Sequence, residues 1–463
     1  MKYRVCLIVD NPLRDLEGIT LIAWHLAKQN IISYIVPMYC QAFDIIAIKP
    51  DLVVANYLRP NNIALLQRYK KENIKICILD TEGSPGRDIE KFSHFISNIK
   101  EKHLVNLYCL WGHDQYKAFK KKNILNEKIL KITGCPRYDF CIHPYNKIFH
   151  KDFYEKKFIL INTTFPVGNP KFTKNYNDES KAMIDMGYDR KFANKYAKDS
   201  FEVNRKIISI IERICKTVPN INFVLRPHPF ESRTPYEKLL HFPNFEINQT
   251  KTAIEWLNSC EALIHLNCQT AIEAVMLGKE PISIEWINTP HLKAQAPPGE
   301  INHNPKNFNE LVFLIKKISN NNSLKPSSKM KMDRKKLIKS RLMSDDGKSS
   351  LRVSKVIFDY LNINKHYVDE SSYSSSNFKV NYKQIGREVL GFNLFHTIRK
   401  IIQGKKFEFR RNEKSFNLND VNLIINKLNK LNSKKPIVHV GKVESNELSI
   451  TKMFSQKTIK VFK

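Results

Sequence analysis

The chain has 463 residues, 42% of them hydrophobic, with 76 Lys and Arg against 45 Asp and Glu and a formal net charge of +31. Such a length exceeds one ordinary domain, and the apolar content is enough for two cores, so two globular units plus an appendage are expected. No uninterrupted apolar run approaches the roughly 20 residues that a bilayer-spanning helix needs. The opening "MKYRVCLIVDNPLRD" brings a charge after only a few apolar residues and reads as neither signal peptide nor membrane anchor. The nine cysteines lack metal-like spacing and read as buried, reduced thiols, which places the expected location on the cytoplasmic side. The basic excess calls for an anionic partner: nucleic acid, a phospholipid surface or a phosphorylated substrate. Part of it reflects a composition rich in Lys, Asn and Ile.

In chain order, the apolar runs "YRVCLIVD" (3–10), "ISYIVPMY" (32–39), "DLVVANY" (51–57), "IKICILD" (74–80) and "VNLYCLWG" (105–112) alternate with helical patterns such as 18–30 and 61–73. Strand–helix alternation at this spacing predicts a parallel sheet covered on both faces. After a polar break near 145–156 the pattern restarts with strands in 157–165, 220–229, 244–249, 261–268 and 280–286 and a helix over 204–217. The expected organisation is a Rossmann-like domain over 1–150, a second over 151–325, and a basic, helical and partly flexible extension over 326–463. In the extension, residues 382–411 set Ile385, Val389, Leu390, Phe392, Phe395, Ile398 and Ile402 against a basic remainder. That suits an amphipathic helix on an anionic membrane surface, or a helix packed on the protein itself. Residues 412–463 carry little signal.

Three stretches hold candidate chemistry. "NFVLRPHPFE" (222–231) ends a strand in Arg226 and His228, each before a proline that forces extended geometry. Ligands of open α/β sheets sit beyond the strands' carboxyl ends, where a guanidinium and an imidazole can grip phosphate; a rigid solvated turn is the plainer alternative. "EALIHLNCQTAIEAVMLGKEPISIEW" (261–286) reads as strand, loop, helix and strand, and the helix start is an anion site in waiting. There Thr270 and Glu273 fit a capping box, with nucleotide ribose as the alternative partner for Glu273. "LDTEGSPGRD" (79–88) places Asp80 and Glu82 at the end of the fourth strand, where a carboxylate can take a proton from an acceptor hydroxyl.

Together these stretches, with "CLWGHDQY" (109–116), "ITGCPRYD" (132–139) and "FILINTTF" (158–165), resemble the surface carbohydrate biosynthesis enzymes of GT-B fold. Relatives there include bacterial β-Kdo transferases, sialyl- and polysialyltransferases and CDP-glycerol glycerophosphotransferases, and the likeness covers residues 1–320. The resemblance implies two Rossmann-like domains facing a cleft. It implies that the second domain holds a cytidine nucleotide donor through Arg226, His228, Gln269, Thr270 and Glu273, with His228 assisting the leaving group. It also implies a catalytic carboxylate in the first domain, Glu82 or Asp80, with Glu82 preferred because it directly precedes Gly83. "NCQT" departs from the family's paired hydroxyls and keeps Thr270 alone.

The implied activity is transfer of a sugar, CMP-Kdo or another CMP-sugar, to a glycan or lipid-linked glycan acceptor in capsule, O-antigen or lipooligosaccharide synthesis. No metal is required and no cofactor beyond the substrate nucleotide sugar is expected. A CDP-glycerol or CDP-ribitol phosphotransferase and a GT-B-like nucleotide-sugar epimerase are the rival enzymes. A nucleic-acid binder is the rival non-enzyme; the basic residues are dispersed and no stacking-aromatic module is present, so no nucleic-acid partner is expected.

Overall fold

The computed structural model describes residues 3–81, 96, 98–149, 154–293, 299–320, 324–363, 382–404, 411–432 and 437–463. They divide into two compact units, one built from residues before 82, from 96 to 148 and from 342 onward, the other from 149 to 341.

In the first unit, β1 (Arg4–Val9), β2 (Ile32–Pro37), β3 (Leu52–Ala55), β4 (Lys75–Leu79), β5 (Leu107–Leu110) and β6 (Leu130–Ile132) are parallel neighbours in the order β2-β1-β3-β4-β5-β6. The strands are nearly all buried, the mark of a sheet covered on both faces. The helix Pro12–Lys28 starts where Asn11 caps it, its side-chain oxygen accepting the Leu13 N–H at 3.0 Å, with Pro12 at the first helical position.

The sequence predicts an extension over 326–463, and here the structure differs. The helix Ser328–Arg341 belongs with the second unit, where Arg334 forks onto Glu280 at 3.0 and 2.7 Å. From residue 342 the chain returns to the first unit. β12 (His439–Lys442) and β13 (Ile459–Phe462) form an antiparallel ribbon, and β13 closes the edge of the sheet by pairing antiparallel with β2. Buried side chains fix this return. Asp44 accepts Ser455 N at 2.7 Å and the Thr458 hydroxyl at 2.6 Å, and Asp139 accepts the N–H groups of Ser349 and Ser350 at 2.9 and 2.7 Å, capping the helix Ser349–Ile363.

In the second unit, β7 (Phe158–Asn162), β8 (Asn222–Arg226), β9 (Phe245–Ile247), β10 (Ala262–His265) and β11 (Glu280–Ser283) form a parallel sheet of order β11-β10-β7-β8-β9. Side chains alternate between its faces. Ile159, Ile161, Phe223, Leu225 and Ile264 join one core with Ile207, Ile211, Leu311 and Ile315. Phe158, Leu160, Val224 and Leu263 join another with Trp256, Leu257 and Ala274. The expected helix over 204–217 is the second half of a 28-residue helix, Arg190–Thr217, capped by Asp189. The α/β architecture with two parallel-sheet units and a mainly helical C-terminal region is therefore present.

Candidate functional site

β7 lies in the middle of the second sheet, with β8 and β9 on one side and β10 and β11 on the other, so the winding reverses between β7 and β10. Crevices at the carboxyl edge of such a switch are where open α/β sheets hold ligands. At this edge each strand stops being apolar at the same level. Asn162 pairs in register with Arg226 and with His265, and His265 pairs with Ser283. By alternation all four lie on the face that carries Trp256 and Ala274. They are buried, between 1% and 7% exposed, so the sheet ends in an enclosed polar row.

Arg226 is the cation of that row and is 7% exposed. One arm, Nη2, donates to the carbonyl of Lys251 at 3.1 Å, while its buried Nε has no hydrogen-bond partner among the described residues. Burial lowers the guanidinium's proton affinity, opposed by the thiol of Cys268 and the carboxylates of Glu273 and Glu255. This places Arg226 and Glu273 in one electrostatic neighbourhood.

The loop after β8 is held from behind. Phe230 N–H donates to Nδ1 of His228 at 3.1 Å, so the neutral ring carries its proton on Nε2. Gln249 reaches the carbonyls of Pro227 and His228 at 3.4 and 3.3 Å. Glu231, fully buried, is the hub. It accepts the Thr163 hydroxyl at 2.9 Å, Phe165 N at 3.1 Å, His228 N at 3.4 Å and the Tyr236 hydroxyl. Burial raises its proton affinity, and these donors oppose the rise.

Across the switch point, Asn162 Nδ2 donates to the Thr270 hydroxyl at 2.9 Å, and the amide oxygen of Asn162 is buried without a partner among the described residues. Thr270 in turn donates to Cys268 Sγ at 3.0 Å. His265 stays neutral: burial pushes its pKa down to about 4, and its two nitrogens face Asn302 and the Cys268 N–H. Gln269, partly exposed, is the residue before the helix Thr270–Met276, and its side chain makes no cap bond. Thr270 is thus the first helical residue rather than the cap, and Glu273 is a buried side chain of that helix. The capping box of this unit lies instead at Thr252 and Glu255, beside the Lys251 carbonyl that Arg226 touches.

In the first unit Asp80 is 2% exposed and accepts the Tyr108 hydroxyl at 3.0 Å, while Trp111 Nε1 donates to its carbonyl at 2.6 Å. Burial and the Asp80 charge push the Tyr108 phenol well above its ordinary range. Asp80 is thereby built into the strand end. Glu82, the other candidate base, lies outside the described residues.

The structure thus gathers Arg226, His228, Thr270 and Glu273 around one sheet edge and adds Asn162, Glu231, Gln249 and His265. Asn162 and Glu231 stand inside quoted stretches, yet only the sheet register and the loop's return reveal their roles.

No protein-family model and no curated protein matches the chain. Solved structures do. The chain is similar to a putative UDP-N-acetylglucosamine 2-epimerase from Listeria monocytogenes, at 12% identity and TM-score 0.49 over 78% of this chain and 98% of that one. It is similar to the UDP-GlcNAc 2-epimerase of Methanocaldococcus jannaschii at 12% identity and TM-score 0.47, over 78% of this chain and all of the other. The wall teichoic acid polymerase TagF is similar at 13% identity and TM-score 0.49, over 79% of this chain and 90% of that one.

Proposed function

We propose that the chain is a glycosyltransferase of surface-polysaccharide assembly whose second unit holds the phosphate of a cytidine nucleotide donor, a CMP-activated sugar, at the carboxyl edge of its sheet. One observation carries the reading: the buried Arg226 guanidinium has an Nε donor with no partner among the described residues, at the end of a strand bordering the switch-point strand. A buried donor left unmatched costs on the order of 1–3 kcal/mol, more for a charged group, which an anionic ligand would recover. Phosphate fits a guanidinium's planar fork, and His228, with its proton on Nε2, supplies a second donor.

In the proposed step the acceptor hydroxyl attacks the anomeric carbon, the bond from that carbon to the donor phosphate oxygen breaks, and CMP departs with the bonding electrons. Charge grows on the phosphate as it leaves. Arg226 and His228 stabilise it, the Nε2–H of His228 donating a hydrogen bond to the departing phosphate oxygen. Thr270 orients phosphate by turning its hydroxyl proton from Cys268 Sγ to a phosphate oxygen, and Glu273 accepts from ribose hydroxyls. The acceptor's proton goes to a carboxylate of the 80–82 segment. Glu82 is the better choice, because Asp80 is already committed to Tyr108. The acceptor is a glycan or lipid-linked glycan.

The test is a donor panel. Purified protein is heated with CMP-, CDP- and UDP-linked compounds and then assayed for sugar reaching acceptor glycan. Stabilisation by CMP compounds with sugar transfer supports the reading. Phosphodiester-linked polyol product would assign a CDP-polyol phosphotransferase, and sugar isomerised without an acceptor would assign an epimerase.

A further inference from the structure

The helix Tyr382–Gln403 is apolar on two sides, and only one of them is used by the protein. It is kinked at Gly391, whose φ is 70° and where an added Cβ would sit 2.7 Å from the carbonyl oxygen of Lys452. Phe392 and His396, 5% and 7% exposed, pack inward, with Phe392 edge-on to Phe43 at 5.3 Å. An ion pair between Glu388 and Arg68 at 2.8 Å adds a second tie to the same unit. The segment is therefore docked on the first unit.

The opposite side is open. After the kink, Leu394, Ile398, Ile401 and Ile402 follow at spacings of four, seven and eight residues, one stripe of a 3.6-residue helix. They are 52%, 38%, 78% and 74% exposed. Before the kink, Ile385 and Val389 repeat the pattern at 47% and 67%. Scattered exposed aliphatics are ordinary, but Leu394, Ile398, Ile401 and Ile402 share one stripe of the helix after the kink. Residues 382–411 carry eight Lys and Arg against two Glu. An apolar stripe in a cationic segment complements a surface that is both hydrocarbon and anionic, which is the boundary of an anionic phospholipid bilayer. Among the described residues no helix is long and apolar enough to cross a membrane, so the mode is lying on the surface.

We propose that Leu394, Ile398, Ile401 and Ile402 insert into the headgroup boundary of an anionic bilayer, to which the net positive charge of 382–411 draws the segment. The proposal stands independently of the donor chemistry, since it concerns a different unit and a different ligand.

The experiment uses the full chain with vesicles of phosphatidylcholine, with and without phosphatidylglycerol, in a flotation assay. The chain should float with the anionic vesicles, less so at high salt, because part of the attraction is screened. Ile401→Glu with Ile402→Glu alters two well-exposed side chains. It should weaken vesicle binding about tenfold or more, with an unchanged melting temperature. Failure of the unaltered chain to float, or equal flotation of the double variant, overturns the proposal. A dimer in solution that the double variant dissociates, without vesicle binding by either protein, would assign the stripe to a second copy and also overturn it.

Discussion

The side-chain amide of Asn162 donates to the hydroxyl of Thr270 across 2.9 Å, joining the end of β7 to the first helical residue after β10. These two segments flank the point where the winding of the second sheet reverses. The bond therefore fixes the separation of the two loops between which a ligand would sit. It also leaves the amide oxygen of Asn162 buried and unmatched among the described residues, near the cation of Arg226, its register partner.

Asn162→Asp tests the sign of that environment. A carboxylate at this position adds negative charge beside the proposed phosphate site while keeping nearly the same shape. Affinity for CMP, measured by titration calorimetry, should fall about tenfold or more, the effect of a like charge a few ångströms away. Unchanged affinity would place the nucleotide elsewhere.

His228→Asn separates the two nitrogens of the imidazole. An asparagine oxygen can stand where Nδ1 accepts the Phe230 N–H, so the loop keeps its shape, but the Nε2 proton is gone. Turnover should drop by about 100-fold or more, the range for removing one donor that stabilises charge developing in the transition state, with CMP affinity changed much less. Loss of nucleotide binding equal to the loss of turnover would make His228 a phosphate ligand alone.

Glu231→Gln replaces an acceptor facing the Thr163, Phe165, His228 and Tyr236 donors with an amide that brings its own N–H groups. Opposed donors in a fully buried site should cost about 2–4 kcal/mol of stability. Chemical denaturation measures this, and an unchanged midpoint would remove Glu231 from its place at the hub of the loop.

Acid should weaken the fold through His265. Its folded pKa is pushed down to about 4 from the ordinary 6.5, so below pH 6.5 the unfolded chain takes up a proton that the folded chain refuses until about pH 4. The stability contributed is fully present above 6.5 and is lost as pH falls toward 4. From about pH 7 to about pH 5 this amounts to on the order of 2 kcal/mol. His25 and His396, also pushed down to about 4, act in the same sense, whereas Asp44, pushed up to about 6, acts in the opposite one. His265→Asn should therefore lose less stability than the parent over this interval. Parallel losses in denaturation curves at the two pH values would refute the assignment.

Much of the architecture was legible because a parallel sheet covered on both faces leaves near-continuous apolar runs, and "KFILINTTF" and "NFVLRPHP" carry theirs up to a polar end. The polar ends were legible only in part. Arg226 and His228 stand out beside prolines, but Asn162 acquires meaning from its register with residues 64 and 103 positions away. Two T-x-x-E patterns show the limit of local reading. The one at Thr252 caps a helix because Thr252 is extended, with φ −82° and ψ 163°, while the one at Thr270 does not, because the preceding Gln269 already has helical dihedrals of −65° and −19°. β13 was invisible: a short strand whose partner, β2, lies more than four hundred residues earlier leaves no periodic trace. The helix Tyr382–Gln403 left two readings open in sequence. Its packed and exposed apolar sides show why neither could be excluded from the residue pattern.

The central claim is that the Arg226 guanidinium binds the donor phosphate. The most direct measurement is CMP affinity by titration calorimetry for the unaltered chain and for Arg226→Lys, which keeps the charge but loses the planar fork. The expected result is measurable binding by the parent and a loss of about tenfold to 100-fold in the variant, with circular dichroism unchanged. Equal affinity of the two proteins for CMP would contradict the account.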